Sequence, residues 1–310
     1  MLLHENSRAR DKVRAWLVLW AVYAVLFGVT LFMGRFCDAP WDIRLLLWGN
    51  PDQYIPVLDE WVIFETDFAT YFLAFMFIGW QISYYISRGS DRRKQKTRRV
   101  WHVLAVVFGV WHLLGAWYAG EKAIFFWGAH EYWMVFIPLG IAFFLGSWWV
   151  GESVVRMDDK DQRKLATVFW LTLLAVLFIN VIGEDTIKAI VKRHRPQHDS
   201  YAAWNSGIRS INDEVVRASY SYISGHASGF VAQVGLLIWV VRNRYLKAAL
   251  IAWVVFHAWT RVYTAVHFPY DVFMASVFAF ANCTLIYFCL WKYDEGIRFF
   301  NPLKTGRIPD

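Results

Sequence analysis

The sequence predicts an all-α membrane protein, a polytopic bundle of about eight transmembrane helices. Three observations predict it. Hydrophobic residues make up 57% of the 310 and aromatic ones 19%, with 19 tryptophans, more than an aqueous domain of this length needs. Several apolar runs reach the roughly 18–20 residues that cross a bilayer. The net charge of +7 falls in short loops between those runs. Cytoplasmic loops carry such an excess, so the charge does not argue for nucleic acid as a partner.

Residues 1–14 are polar and carry Arg8, Arg10, Lys12 and Arg14. The first apolar run, 15–34, lacks a small-x-small cleavage signal and reads as a retained anchor. A loop to residue 65 follows, holding Asp38, Asp42, Asp52, Asp59 and Glu60 against Arg35 and Arg44. Pro40, Pro51 and Pro56 argue against long helices there, although 41–48 suits a short interfacial segment. The second run is 68–87. The stretch 88–99, the most basic of the chain, reads as a topology signal or as a contact for anionic lipid. The third and fourth runs are 100–119 and 130–151. A polar loop, 152–164, leads into the fifth, 165–187, and the last three are 226–241, 248–264 and 271–291. Cys37, Cys283 and Cys289 form no disulfide framework. The chain divides into an amino-terminal four-helix membrane region, 1–160, and a second half, 161–310.

An even helix number and a basic amino terminus place both ends in the cytoplasm. The basic turns 88–99, 156–164 and 242–247 fall on the same side. The ends of runs five and seven and the starts of runs six and eight then face outward. Those four ends hold the polar residues that an apolar chain has least reason to keep. Lys188 stands seven residues before Arg195 and so on the same helical face, with the helix expected to stop at Arg195 because Pro196 follows. Ser224 suits an N-cap, with Gly225 and His226 opening a helix whose free N–H groups favour an anion. Arg261 offers a planar fork to phosphate oxygens. His267 precedes Phe268-Pro269, which marks a break between helices, and Pro269 suits the first position of the next. Asp271 then lies in that helix's first turn, within reach of one imidazole nitrogen. Glu184, four residues before Lys188, suits a pair with it or a supporting place behind it. His257 suits a structural hydrogen bond. His194 and His198 have a metal-like spacing, but Pro196 between them breaks the helix that would present it.

These pieces, Lys-x6-Arg-Pro at 188–196, Ser-Gly-His at 224–226 and Arg-x5-His-x3-Asp at 261–271, resemble the motifs of the type 2 phosphatidic acid phosphatase family, which shares its site with vanadium haloperoxidases. Ile223 replaces the proline, and Thr260 the serine, of the family pattern. The resemblance covers roughly residues 165–291, so 161–310 is the expected phosphatase core. It implies a metal-free, cofactor-free phosphoryl transfer in two steps. His267 would be the nucleophile and Asp271 its orienter. His226 would be the acid and then the base. Lys188, Arg195, Arg261, Ser224 and Gly225 would hold the phosphate oxygens.

A site at a membrane boundary calls for a membrane lipid phosphate as substrate. Lys192 and Arg193 add cations that lean towards a diphosphate. The tyrosines and tryptophan of 197–222 suit the border of a lipid entrance. The expected setting is a bacterial inner (plasma) membrane with the site on the periplasmic or extracellular side. A phosphotransferase between lipid carriers would have the same motifs. A lipid transporter or scramblase would use the polar cluster as a path, and a haloperoxidase would bind vanadate.

Overall fold

A computed structural model describes residues 2–118, 123–125, 128–130, 133–209 and 220–292. The chain forms two compact units, one of Pro51–Ala166 and one that joins Met1–Asn50 to Thr167–Asp310. The boundary read from sequence after residue 160 therefore misses one long-range feature. The first fifty residues belong with the carboxy-terminal half.

In the Pro51–Ala166 unit, α3 (Pro56–Ser87), α4 (Asp91–Tyr118) and α5 (Trp133–Arg156) pack on one another. A short hairpin, β1 (Ala123–Phe125) and β2 (Gly128–His130), joins α4 to α5. Pro56 starts α3 rather than preventing a helix, because a proline at the first position gives up an N–H that would have no partner anyway. Trp80 donates to Ser153 Oγ at 2.9 Å and Trp101 to Ser83 Oγ at 2.6 Å, pinning indoles that are otherwise packed among apolar neighbours. The basic stretch is the first turns of α4. There Arg98 meets Glu152 at 2.7 Å and Lys94 meets Asp159 at 3.3 Å, while His102 and Arg156 converge on the same Glu152. Part of that charge is thus engaged within the fold.

α6 (Asp159–Val176) begins in the Pro51–Ala166 unit and, from Thr167, continues in the other through a π-helical segment, Leu177–Glu184, into α7 (Asp185–Val191). Then follow α8 (Gly225–Val240), α9 (Arg244–Tyr263) and α10 (Pro269–Ile286), the last running into a π-helical turn, Tyr287–Lys292. α8 is buried along most of its length and packs against α9 and α10, while α1 (Leu2–Met33) packs against α10. Tyrosine hydroxyls tie α1 to this core. Tyr23 donates to the Phe178 carbonyl at 2.9 Å, Tyr222 to Thr30 at 2.7 Å and Tyr270 to Met33 at 3.1 Å. Tyr222 is therefore a core residue rather than part of an interfacial loop. α2 (Pro40–Gly49) is the short segment expected at 41–48; it buries Asp42 and Leu46 and exposes Trp48.

Among the described residues four helices are long and apolar enough to cross a membrane: Val13–Phe36, Ile137–Arg156, Asp159–Val191 and Pro269–Trp291. The bent pair Leu58–Thr66 and Phe68–Ser87 makes a fifth. The expected count of about eight is not reached. α8 shows one reason: its 16 residues rise only ~24 Å, short of a ~30 Å hydrocarbon core, and its apolar surface faces other helices rather than lipid.

Candidate active site

The local signals around the site fold as their chemistry dictates. Ser224 is the N-cap of α8, extended at φ −72° and ψ 115°, with its Oγ facing the Ala227 N–H at 3.5 Å. Phe268 is extended at φ −71° and ψ 152°, Pro269 opens α10, and Asp271 sits in its first turn. Between α9 and α10 the chain turns sharply. Ala265 takes a left-handed φ of 53°, and the His267 N–H closes onto the Arg261 carbonyl at 3.2 Å. The Ser224 N–H donates to the Asp271 carbonyl at 3.3 Å, which joins the start of α8 to the start of α10.

One helix ends earlier than expected. α7 stops at Val191, and Lys192 is left-handed at φ 54° with its N–H on the Lys188 carbonyl at 3.0 Å. Lys188 and Arg195 therefore do not share a helix. The segment after Val191 leaves the helix because it has stronger partners. The Arg193 carbonyl takes the Ser221 N–H at 2.7 Å, and its guanidinium meets Asp271 Oδ1 at 2.6 Å and Asp42 Oδ2 at 2.8 Å. That guanidinium lies 3.7 Å from the Phe268 ring centroid and is sealed from water. Arg193 is thus spent inside the protein, which removes half of the basis for favouring a diphosphate.

The predicted residues nevertheless come together around His267. The ring is completely buried, and Arg195, Arg261, Lys188 and His226 lie near enough to act on its charge. Burial first, and then those cations, push its pKa well below the usual histidine value. Its Nδ1 sits 2.9 Å from the Ser221 carbonyl and 3.3 Å from Ser221 Oγ. A carbonyl only accepts, so Nδ1 carries the ring's proton and Nε2 its lone pair. The expected direct bond from Asp271 to His267 is not made. Asp271 Oδ2 instead accepts from the Ser221 hydroxyl and from the Phe268 N–H, the latter at 3.2 Å. Asp271 reaches the imidazole through Ser221.

Lys188 Nζ is held by Glu184 Oε1 at 2.5 Å, the expected one-turn pair. Glu184 Oε2 accepts from Asn180 Nδ2 at 2.9 Å, and Asn180 also donates to the Gly225 carbonyl at 3.2 Å. The π-helical segment brings Asn180 and Glu184 to this place, and the Glu184 carboxylate lies so close to Gly225 that a Cβ there would collide with it. His226 is half-buried in the first turn of α8. His257 is a buried core residue whose ring stacks on Phe230 at 4.2 Å. His194 and His198 stack at 3.8 Å, and among the described residues no group of three His, Cys, Asp or Glu could hold a metal ion. Of the loop expected to border a lipid entrance, 210–219 lie outside the described residues; Tyr201 and Trp204 pack on Phe268.

Sequence reasoning did not find Ser221, Asn180 or the pairing role of Asp42. Each acts across more than forty residues of chain, and no local spacing encodes such a contact.

The PAP2 superfamily model matches residues 166–295. The match bears out the resemblance read from the three motifs and holds every one of their residues. No curated protein and no solved structure matches the chain. The superfamily suggests phosphatase activity, and the long apolar helices fit a membrane protein.

Proposed function

We propose that this protein is an integral-membrane phosphatase of lipid phosphates or diphosphates, working through a phosphohistidine at the outer membrane face. The observation that carries the reading is His267: a neutral imidazole with its Nδ1 proton on a carbonyl and its lone pair on Nε2, set among Arg195, Arg261 and Lys188. In the first step Nε2 attacks phosphorus. The P–O bond to the leaving group breaks, a lipid alkoxide from a monophosphate or a lipid phosphate from a diphosphate, and His226 gives its proton to that oxygen. In the second step His226 takes a proton from water, the hydroxide attacks phosphorus, the P–N bond breaks and inorganic phosphate leaves. The three cations, the Ser224 hydroxyl and the Gly225 N–H at the start of α8 offset the charge that gathers on the non-bridging oxygens. Asp271 supports His267 from behind through Ser221.

A lipid-borne substrate follows from the apolar helices that carry the site. Orientation follows from charge. The basic turn 242–247 sits at the opposite end of α8 and α9 from the site, so the cytoplasm takes that end, and the site faces the periplasm or exterior. A bacterial inner membrane is the setting this reading takes.

The test is phosphate release by purified protein across a panel of lipid monophosphates and diphosphates, with rapid quench to trap the intermediate. Release from at least one lipid, with acid-labile phosphate at His267, is expected. No release from any, or lipid movement between leaflets without release, sinks the reading. Transfer of label to an added lipid or sugar alcohol in preference to water would recast the enzyme as a phosphotransferase.

A further inference from the structure

Asp42 lies in α2, more than a hundred residues before the stretch that matches the superfamily. It is nevertheless completely buried, and both its oxygens are engaged at the site. Oδ2 takes Arg193 Nη2 at 2.8 Å. Oδ1 takes the N–H of Tyr270, the residue before Asp271, at 2.8 Å. The other arm of the same guanidinium holds Asp271 Oδ1, Asp271 Oδ2 takes the Ser221 hydroxyl, and the Ser221 carbonyl takes His267 Nδ1–H. We propose that Asp42 is a positioning residue of the active site, fixing the His267 imidazole through Arg193, Asp271 and Ser221. The proposal rests on the phosphatase reading above.

Three arguments support it. The guanidinium is planar, so two carboxylates on its two arms fix its plane, and Phe268 beneath it fixes its height. Asp271 then cannot swing away from Ser221. The second argument is the anchoring of α2. At its other end Asn50 Nδ2 donates to the Tyr263 carbonyl at 2.7 Å and to Arg209 at 3.0 Å, and its Oδ1 takes the Arg209 N–H at 2.8 Å. The helix is pinned to the end of α9 and to the start of α10, the two sides of the turn that carries His267. The third is charge. Phosphorylation at Nε2, with Nδ1 still protonated, leaves positive charge on the ring. Asp42 and Asp271 around one guanidinium, with Asp38 3.5 Å from its Nε on the exposed side, leave net negative charge behind it, and burial of the first two limits its screening. Burial raises the Asp42 pKa to about 6 although Arg193 opposes the shift, so this carboxylate is available in the neutral range and fades in acid.

The experiment measures phosphohistidine formation in a single turnover, together with kcat and KM, in the full-length protein. Asp42→Asn keeps the size of the side chain. It should slow phosphohistidine formation about 10- to 100-fold, the effect of a reacting group displaced by a fraction of an ångström to about 1 Å, with KM little changed. Asp42→Asn combined with Asp271→Asn should be no slower than Asp271→Asn alone, because both act through one chain of contacts. Leu171→Ala, a buried change in α6 away from the site, should lower the apparent Tm without this loss of rate. Should Asp42→Asn fail to accumulate, Arg193→Lys keeps the charge, loses the fork and carries the same expectations. A wild-type rate in Asp42→Asn, multiplying losses in the double variant, or a rate that tracks Tm in Leu171→Ala as well would overturn the positioning role alone. No turnover by the wild-type protein would overturn it together with the phosphatase reading.

Discussion

At neutral pH the His267 imidazole is uncharged, because burial and the cations Arg195, Arg261 and Lys188 hold its pKa well down. In the proposed reaction the nucleophile needs that lone pair, the leaving oxygen needs a proton from elsewhere, and His226 is the histidine assigned to give it. Removal of the two should therefore fail differently. His267→Ala should abolish phosphohistidine from every substrate. His226→Ala should slow lipid substrates by about 10²–10⁴-fold, the usual worth of a general acid, and spare activated aryl phosphates in the first step. A phosphohistidine trapped in His267→Ala would reverse the assignment. The same shift has a stability consequence. A histidine with a lowered folded pKa contributes stability that is present above its unfolded value of about 6.5 and is lost as pH falls. The apparent Tm should drop in acid, and His267→Gln should shrink that drop; an unchanged acid limb in this variant would count against the buried neutral ring. Gly225 makes a second residue-scale prediction. A methyl there must displace the Glu184 carboxylate, which Lys188 and Asn180 hold in place. Gly225→Ala should thus cost about 10- to 100-fold in turnover through a displaced Lys188. Glu184→Ala in the same background should recover part of the loss, and no recovery would place the fault elsewhere.

At the scale of elements, what could be read in advance was what neighbouring residues decide. Ser224 as a cap, Phe268 as extended and Pro269 as a helix start each follow from one or two adjacent side chains. The end of α7 did not follow, because Pro196 fixes only that the helix cannot pass Arg195. The actual stop comes from Arg193, drawn out of the helix by carboxylates 151 residues upstream and 78 downstream. The direct His267–Asp271 bond fails for the same reason: Arg193 and Ser221 occupy the carboxylate. Lys192 takes up the strain of this exit. It is exposed and left-handed, a conformation that costs a residue with a Cβ on the order of 1 kcal/mol. Lys192→Gly should remove that cost, partly offset by glycine's greater freedom in the unfolded chain, and leave the apparent Tm equal or slightly raised. If Lys192 has no second phosphate to meet, turnover of monophosphates and diphosphates should fall together or not at all. A selective loss on diphosphates would restore the functional reading of its charge.

At the scale of the whole molecule, hydropathy located the helices better than it counted spans or drew boundaries. Burial by protein and burial by lipid give the same apolar sequence, so hydropathy alone does not decide whether α8, 16 residues long and covered by its neighbours, counts as a span. The boundary after residue 160 misled because Tyr23, Thr30 and Met33 bind α1 to partners that lie far along the chain. The proposed orientation rests on which end of α8 and α9 is basic, not on the number of spans. The site gathers at the amino end of α8 and the carboxy end of α9. Arg242, Arg244 and Lys247 mark the other end, ~24 Å away along a 16-residue helix. Cysteines placed singly at Ser200 and Arg242, both exposed, in a chain with Cys37, Cys283 and Cys289 replaced, should therefore label from opposite sides. An impermeant thiol reagent added to intact cells should modify Ser200→Cys at once and Arg242→Cys only after permeabilisation. The reverse pattern would put the phosphate site in the cytoplasm. Reaction at both positions in intact cells would mean that α8 and α9 do not separate the two sides of a membrane at all.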